Sequence, residues 1–253
     1  MSDNFYIGWE SKAPPATARI VRRTVILLLL MLLLVAISLS LAQRTIGTAV
    51  FEWGNLKKFS GVLELEPYPH LLVPRPGRID GHANYSTYYL VAPFKYGLDR
   101  QKLSALDGKM VSLQGTLLYR GDQTMVEAVP DSIQAMTEGA PSLPAEATIP
   151  LGRQTLTGEV VDSKCFFGAM NPGQSAPHRA CAIRCISGGI PPVLLVRLPN
   201  GTATYFLLVS ANGKPVNRQV LDFVAEPVQI TGEVERQGGL LILRADPADY
   251  HRL

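Results

Sequence analysis

All three cysteines of the chain fall in one stretch, DSKCFFGAMNPGQSAPHRACAIRCISGGIPP, from Asp162 to Pro192. No other part of the sequence is as dense in side chains able to ligate, attack or exchange. Thiolates with or without an imidazole suit Zn2+, Cu+ and iron–sulfur centres, which draw tetrahedral or trigonal sets from such soft donors. Cys165, His178, Cys181 and Cys185 make one such set, and Met170 could add a thioether. The same residues are open to two other chemistries. A disulfide from Cys165 to Cys181 or Cys185 would staple an irregular segment in an oxidising compartment and would leave an odd thiol over. Thiol–disulfide redox chemistry would need a reactive cysteine, and Cys181 has His178, Arg179 and Arg184 as cationic neighbours. The two arginines could also meet an anionic ligand, although charges on a short exposed helix are ordinarily solvated.

These residues need elements to bring them together. Ser175 or Ala176 can cap a helix with Pro177 in its first turn, Gly188-Gly189 at its end and Pro191-Pro192 beyond. At about 100° per residue, His178, Cys181 and Cys185 share a face of that helix. Cys165 arrives from a preceding strand and can face them.

The chain around this insertion reads as two related modules. Lys58 to Glu66, Tyr88 to Ala92, Lys109 to Tyr119 and Thr124 to Val129 are the first module's strands, interrupted by a short helix from Asp99 to Leu106. Phe59-Ser60-Gly61 matches Leu156-Thr157-Gly158, Tyr88 to Val91 resembles Tyr205 to Val209, and Val111 to Gly115 resembles Val228 to Gly232. A second helix is expected from Asn217 to Val224, in the interval equivalent to the first. Hairpins are expected at Arg120-Gly121-Asp122, Gln237-Gly238-Gly239 and Asn200-Gly201. A glycine in the first and fourth strands and one helix before the last two strands resemble the five-stranded OB barrel.

The expected architecture is mainly β: one N-terminal transmembrane helix and two small OB-like barrels, the second with a short helical Cys-containing insertion. The segments are a tail at 1–23, a membrane helix at 24–42, a first barrel at 43–135, a linker at 136–152 and a second barrel at 153–253, with the insertion at 163–191.

Thr24 to Ala42 carries no charge and is long enough to cross a hydrocarbon core of about 30 Å. Arg19, Arg22 and Arg23 precede it and only Arg44 follows closely, so the positive-inside bias keeps the N-terminus cytoplasmic. A cleaved signal peptide ending at Ser40-Leu41-Ala42 is the rival reading, but its apolar region would be unusually long. The expected location is a bacterial inner membrane, single pass, with the C-terminal domains periplasmic. Phe5, Tyr6 and Trp9 in the tail suit the headgroup level.

Of the 253 residues, 47% are hydrophobic and 18% charged, enough for a sizeable core, and the net charge of +3 gives no reason to expect nucleic acid. No nucleophile-elbow, phosphate-loop or zinc-protease motif is present, so an enzyme is disfavoured. His70, His82 and His251 read as isolated surface histidines. Tyr88 and Tyr89, with Tyr68, Tyr85 and Phe94 near by, could form a stacking platform for an oligosaccharide, peptide or other envelope ligand.

Asp162 to Cys165, Gly168 to Gly173 and His178 to Pro192 together resemble a segment of bacterial membrane-anchored periplasmic proteins with OB-fold-like domains and a Cys/His-rich insertion. That resemblance implies no activity. In layout the chain is also similar to the haem chaperone of cytochrome c maturation, whose covalent-haem histidine motif is not evident here. The expected function is a non-enzymatic accessory or assembly subunit that binds a protein partner in the same membrane, such as an oxidoreductase, with a Cys/His site that is a structural disulfide or holds Cu or Zn. The alternatives are the envelope-ligand module and a thiol–disulfide redox protein.

Overall fold

A computed structural model describes residues 13–43, 49–74, 85–136, 148–198 and 202–253. The chain divides into an N-terminal unit, Met1–Gly47, and a larger unit, Thr48–Leu253. The first contains helix α1, Pro15–Gln43. It begins earlier than the uncharged run because Pro15 suits a first helical turn and the Ala-Arg sequence that follows favours helix. Arg19, Arg22 and Arg23 therefore lie inside it. Its mean hydropathy reaches 3.1, and it is long and apolar enough to cross a membrane. Ser40 returns its hydroxyl hydrogen to Ala36 O at 2.8 Å, so that polar group is satisfied within the helix. Phe5, Tyr6 and Trp9 lie outside the described residues.

The larger unit is two closed five-stranded barrels. Barrel one uses β2 (Lys57–Glu64), β3 (His70–Pro74), β4 (Tyr85–Val91), β5 (Met110–Arg120) and β6 (Gln123–Ala128). They pair β2–β3–β4–β6–β5 and back to β2, antiparallel throughout except β4 with β6, where Tyr89 lies opposite Met125. β1 (Ala49–Phe51) and β7 (Gln134–Ala135) add to β5. Barrel two repeats that order with β8 (Thr148–Asp162), β9 (Pro192–Arg197), β10 (Ala203–Val209), β12 (Leu240–Arg244) and β11 (Pro227–Gln237). Its parallel pair is β10 with β12, Phe206 opposite Leu241, and β13 (Tyr250–Arg252) adds to β11. The two barrels share the OB order, so the repeat in the sequence is a repeat of topology.

The glycine expectation has a steric basis. A Cβ on Gly61 would stand 2.4 Å from Leu72 O, and one on Gly158 would stand 2.4 Å from Leu195 O. Both glycines let the long first strand bend where its neighbour crosses closely.

Several elements differ from the sequence reading. Helix α2 is short, Arg100–Leu103, continued by a 3-10 turn to Leu106, and Asp99 caps it as an acceptor for the Gln101 and Lys102 amides. Its counterpart at Asn217 to Val224 is only a 3-10 turn, Leu221–Phe223. Val216, Val220 and Val224 are buried at helical spacing, and that period imitates a helix. His70 is a buried strand residue: one ring nitrogen meets Tyr68 O at 2.8 Å and the other meets Glu64 at 3.0 Å. His251 is exposed on β13, and His82 lies outside the described residues. β8 begins at Thr148, inside the segment read as linker, while 137–147 lie outside the described residues. The Asn200-Gly201 turn is also outside them, although β9 and β10 on either side pair antiparallel.

Each barrel has its own core, and a third cluster joins them. Tyr68, Tyr89, Val91, Leu118 and Met125 of barrel one pack with Val161, Phe166, Phe167, Ile190 and Leu207 of barrel two. The Tyr68 hydroxyl donates to Leu208 O at 3.2 Å and accepts the Val216 amide at 3.0 Å. Arg120, from the Arg-Gly-Asp hairpin, donates to Phe166 O at 2.6 Å and lies 4.2 Å over its ring. The cysteine insertion is built into this joint.

Candidate metal centre at the joint of the barrels

The insertion leaves β8 in a π-helical turn, Cys165–Ala169, whose Phe166 and Phe167 are fully buried. It returns through a 3-10 turn, Ala176–His178, into helix α3, Arg179–Ser187. The helix stands where Pro177 and Gly188-Gly189 placed it. Ser175 does not cap it: the residue lies at φ 66° and its amide is taken by Glu159. Arg179 pairs with Glu226 and donates to Asp222 O, tying α3 to barrel two, so it is not left for an anionic ligand.

Cys165 is shared by two donor groups, one with His178 and Cys181 and the other with Asp162 and Cys185, the ligand atoms of each group lying within 4.8 Å of one another. Cys165 Sγ lies 3.9 Å from Cys181 Sγ and 3.9 Å from Cys185 Sγ. All three thiols are free, so the expected disulfide is not formed; an S–S bond is about 2.05 Å. A ring nitrogen of His178, Cys165 Sγ and Cys181 Sγ lie within 4.8 Å of one another. Cys165 and Cys185 are buried and Cys181 is partly open. Met170 follows the π-helical turn, is 47% exposed and does not join the buried cluster.

Asp162 organises the set from beneath. It is fully buried; its Oδ1 accepts the Cys165 amide at 2.8 Å, and its Oδ2 meets His178 Nε2 at 2.9 Å. A carboxylate on one ring nitrogen fixes the imidazole and leaves the other nitrogen to a metal, the usual outer-shell arrangement of histidine ligands.

A residue from the other barrel closes the site. Lys95 Nζ stands 2.7 Å from Cys181 Sγ and 3.8 Å from Cys185 Sγ. Lys95 sits in the loop after β4, which Lys164 grips: its ammonium meets Glu127 at 2.5 Å, Ala92 O at 2.9 Å and Phe94 O at 2.6 Å. Three acceptors satisfy the three donors of that buried cation. The Gly97 amide donates to Gly188 O at 2.9 Å, pinning the loop to the end of α3. Phe94, between these anchors, holds a left-handed φ of 62° with its ring 80% exposed. Backbone strain of this kind on a bulky residue persists only where its surroundings over-determine it.

The electrostatics drive the two buried thiols apart. Hydrogen bonding between Cys165 and Cys185 holds the Cys165 thiol far above the ordinary range, with burial adding to the rise. The same bond holds Cys185 below its ordinary value, against the opposing effect of burial. Lys95 is pushed up by its hydrogen bond to Cys181, and the sulfur charges reinforce it. The pattern is that of thiols sharing protons beside a fixed cation.

The aromatic residues expected as a platform differ in exposure. Tyr89 is buried in the joint, its ring centroid 6.1 Å from that of Phe167, and burial pushes its hydroxyl pKa upward. Tyr68 and Tyr85 are buried too, whereas Tyr88, edge-on to Phe59, is half open and Phe94 is exposed. Sequence reasoning missed Lys95, Asp162, Lys164 and Glu127 as site residues. Asp162 and Lys164 flank Cys165 closely enough to have been suspected, whereas nothing local marks Lys95 or Glu127.

The chain matches no known protein family, no curated protein and no solved structure. The functional reading therefore rests on the geometry of the site.

Proposed function

We propose that this chain is a non-enzymatic accessory or assembly subunit, anchored by α1 in a bacterial inner membrane with its barrels in the periplasm. It serves a protein partner in that membrane or the periplasm, such as an oxidoreductase. The joint of the barrels holds one thiophilic metal ion, Zn2+ or Cu+, on Cys165, Cys181, Cys185 and His178. One observation carries the metal reading: two sulfur pairs stand 3.9 Å apart, with an imidazole nitrogen in reach and no bond between the sulfurs. A tetrahedral zinc site with Zn–S distances of about 2.3 Å separates its sulfurs by about 3.8 Å, which is close to the spacing of Cys165 Sγ from each of the other two sulfurs.

Charge supports a divalent occupant. With the buried Asp162 carboxylate counted, three thiolates, Zn2+ and the Lys95 ammonium leave a single negative charge, whereas Cu+ leaves two in the same largely buried place. The alternative reading as an envelope-ligand module draws less support, because Tyr89 is interior.

The test is metal analysis of the full chain purified in detergent under reducing conditions. One equivalent of zinc or copper per chain is expected, falling well below half an equivalent in Cys165→Ser. A chain that binds no thiophilic ion when zinc or Cu+ is supplied, while all three thiols titrate as free, would overturn the reading.

A further inference from the structure

A metal site needs its donors to converge, but this one has a second property that ligation does not require. Cys165 is a hub, equally distant from two cysteines, of which one is partly open and the other buried. Whichever of its two disulfides forms, the remaining thiol is left beside a disulfide sulfur. We propose that the metal-free centre is a thiol–disulfide exchange relay, taking a substrate disulfide at Cys181 and storing the oxidising equivalent as a buried Cys165–Cys185 bond. The activity goes beyond the metal-holding role and does not depend on it, since exchange needs the thiols unligated.

The steps balance in atoms and electrons. Cys181 Sγ, as thiolate, attacks one sulfur of a disulfide-bonded protein or a small disulfide; the substrate S–S bond breaks and its other sulfur leaves as a thiolate. Cys165 Sγ then attacks Cys181 Sγ, forming Cys165–Cys181 and releasing the second substrate sulfur. Cys185 Sγ attacks Cys165 Sγ in turn, forming Cys165–Cys185 and expelling Cys181 as a thiolate. Two electrons pass from Cys165 and Cys185 to the substrate, and the two protons those thiols lose end on its two sulfurs.

Three features of the site give the relay its direction. Cys181 is the partly open member, whereas Cys165 and Cys185 are 5% and 1% exposed, so an incoming disulfide meets Cys181 first. Lys95 Nζ, 2.7 Å from Cys181 Sγ, stabilises the thiolate expelled in the last step through a charge-assisted contact. The final bond lies between the two buried sulfurs, so an external thiol reaches it only by way of Cys181, which is restored.

The test uses the full chain in detergent, reduced, stripped of metal with a chelator and mixed with oxidised glutathione. Samples are quenched in acid, blocked with N-ethylmaleimide and mapped by mass spectrometry over time. Glutathione is expected on Cys181 first, followed by Cys165–Cys185 with Cys181 free. Cys165→Ser should arrest at the Cys181 mixed disulfide, extending its lifetime about tenfold or more, and Cys185→Ser should stop at Cys165–Cys181. A wild-type end product of Cys165–Cys181 with Cys185 reduced would overturn the relay, as would first attack at Cys165 or Cys185. The wild-type time course decides the matter even where a variant folds poorly. Zinc titration of the same preparation keeps the two readings apart: a chain that binds the ion but fails to exchange sinks only the relay, and the converse sinks only the metal site.

Discussion

Asp162 shows how much of the centre depends on one buried charge. Its two oxygens hold the Cys165 amide and the His178 ring, and no solvent reaches it. Asp162→Ala leaves both donors unpaired in the interior and should cost about 3 kcal/mol, lowering Tm by roughly 6–12 °C for a domain of this size. Thermal unfolding followed by circular dichroism checks this, and an unchanged Tm would mean that Asp162 does not organise the site. At this scale the sequence was legible where chemistry is rare: Cys165, His178, Cys181 and Cys185 stood out by type and spacing, and Cys165 lies near each of the other three. Lys95 did not, because a surface lysine of barrel one is ordinary until the fold brings it against a sulfur of barrel two.

At the scale of elements, the loop after β4 and the end of α3 are fitted by glycines. A Cβ on Gly97 would stand 2.5 Å from Gly189 O, and one on Gly188 would stand 2.0 Å from Lys95 O. Gly188 has an ordinary φ of −79°, so its requirement is close approach alone. Gly97→Ala should destabilise the protein by about 1–3 kcal/mol through overpacking and should draw Lys95 away from Cys181. Urea unfolding measures the first effect. The second is read by alkylating Cys181 in the native state, and an unaltered rate would show that the loop does not set the surroundings of that sulfur. β2, β5 and β6 were legible because their side chains largely alternate between buried and more open positions, and β4 because it is a short apolar, aromatic run. β3 was not, since Pro67, Pro69 and Pro74 bracket its short apolar run and mimic a loop. The turn at Leu221–Phe223 was overread as a helix because its valines fall at a spacing of four.

The whole molecule adds what neither barrel supplies alone. The barrels share one buried cluster, and the thiols lie within it, so the insertion is part of the joint and not an appendage on barrel two. That joint could not be read from the sequence. Tyr68 and Tyr89 have the composition of an exposed binding face, and only the docking of a second barrel explains their burial. The proposed periplasmic location follows from the uncharged run of α1 and the arginines before it. An alkaline phosphatase fused after Leu253 should therefore be active in cells and a fluorescent protein fused there by the general secretory route dark; the reverse pattern would remove the oxidising compartment from the account.

The central claim is that Cys165, Cys181, Cys185 and His178 close on one ion at the joint. X-ray absorption at the zinc edge of the loaded full chain tests it most directly. The account predicts three sulfurs at about 2.3 Å and one nitrogen at about 2.0–2.1 Å. A shell of oxygen and nitrogen alone, with no sulfur at bonding distance, would contradict it.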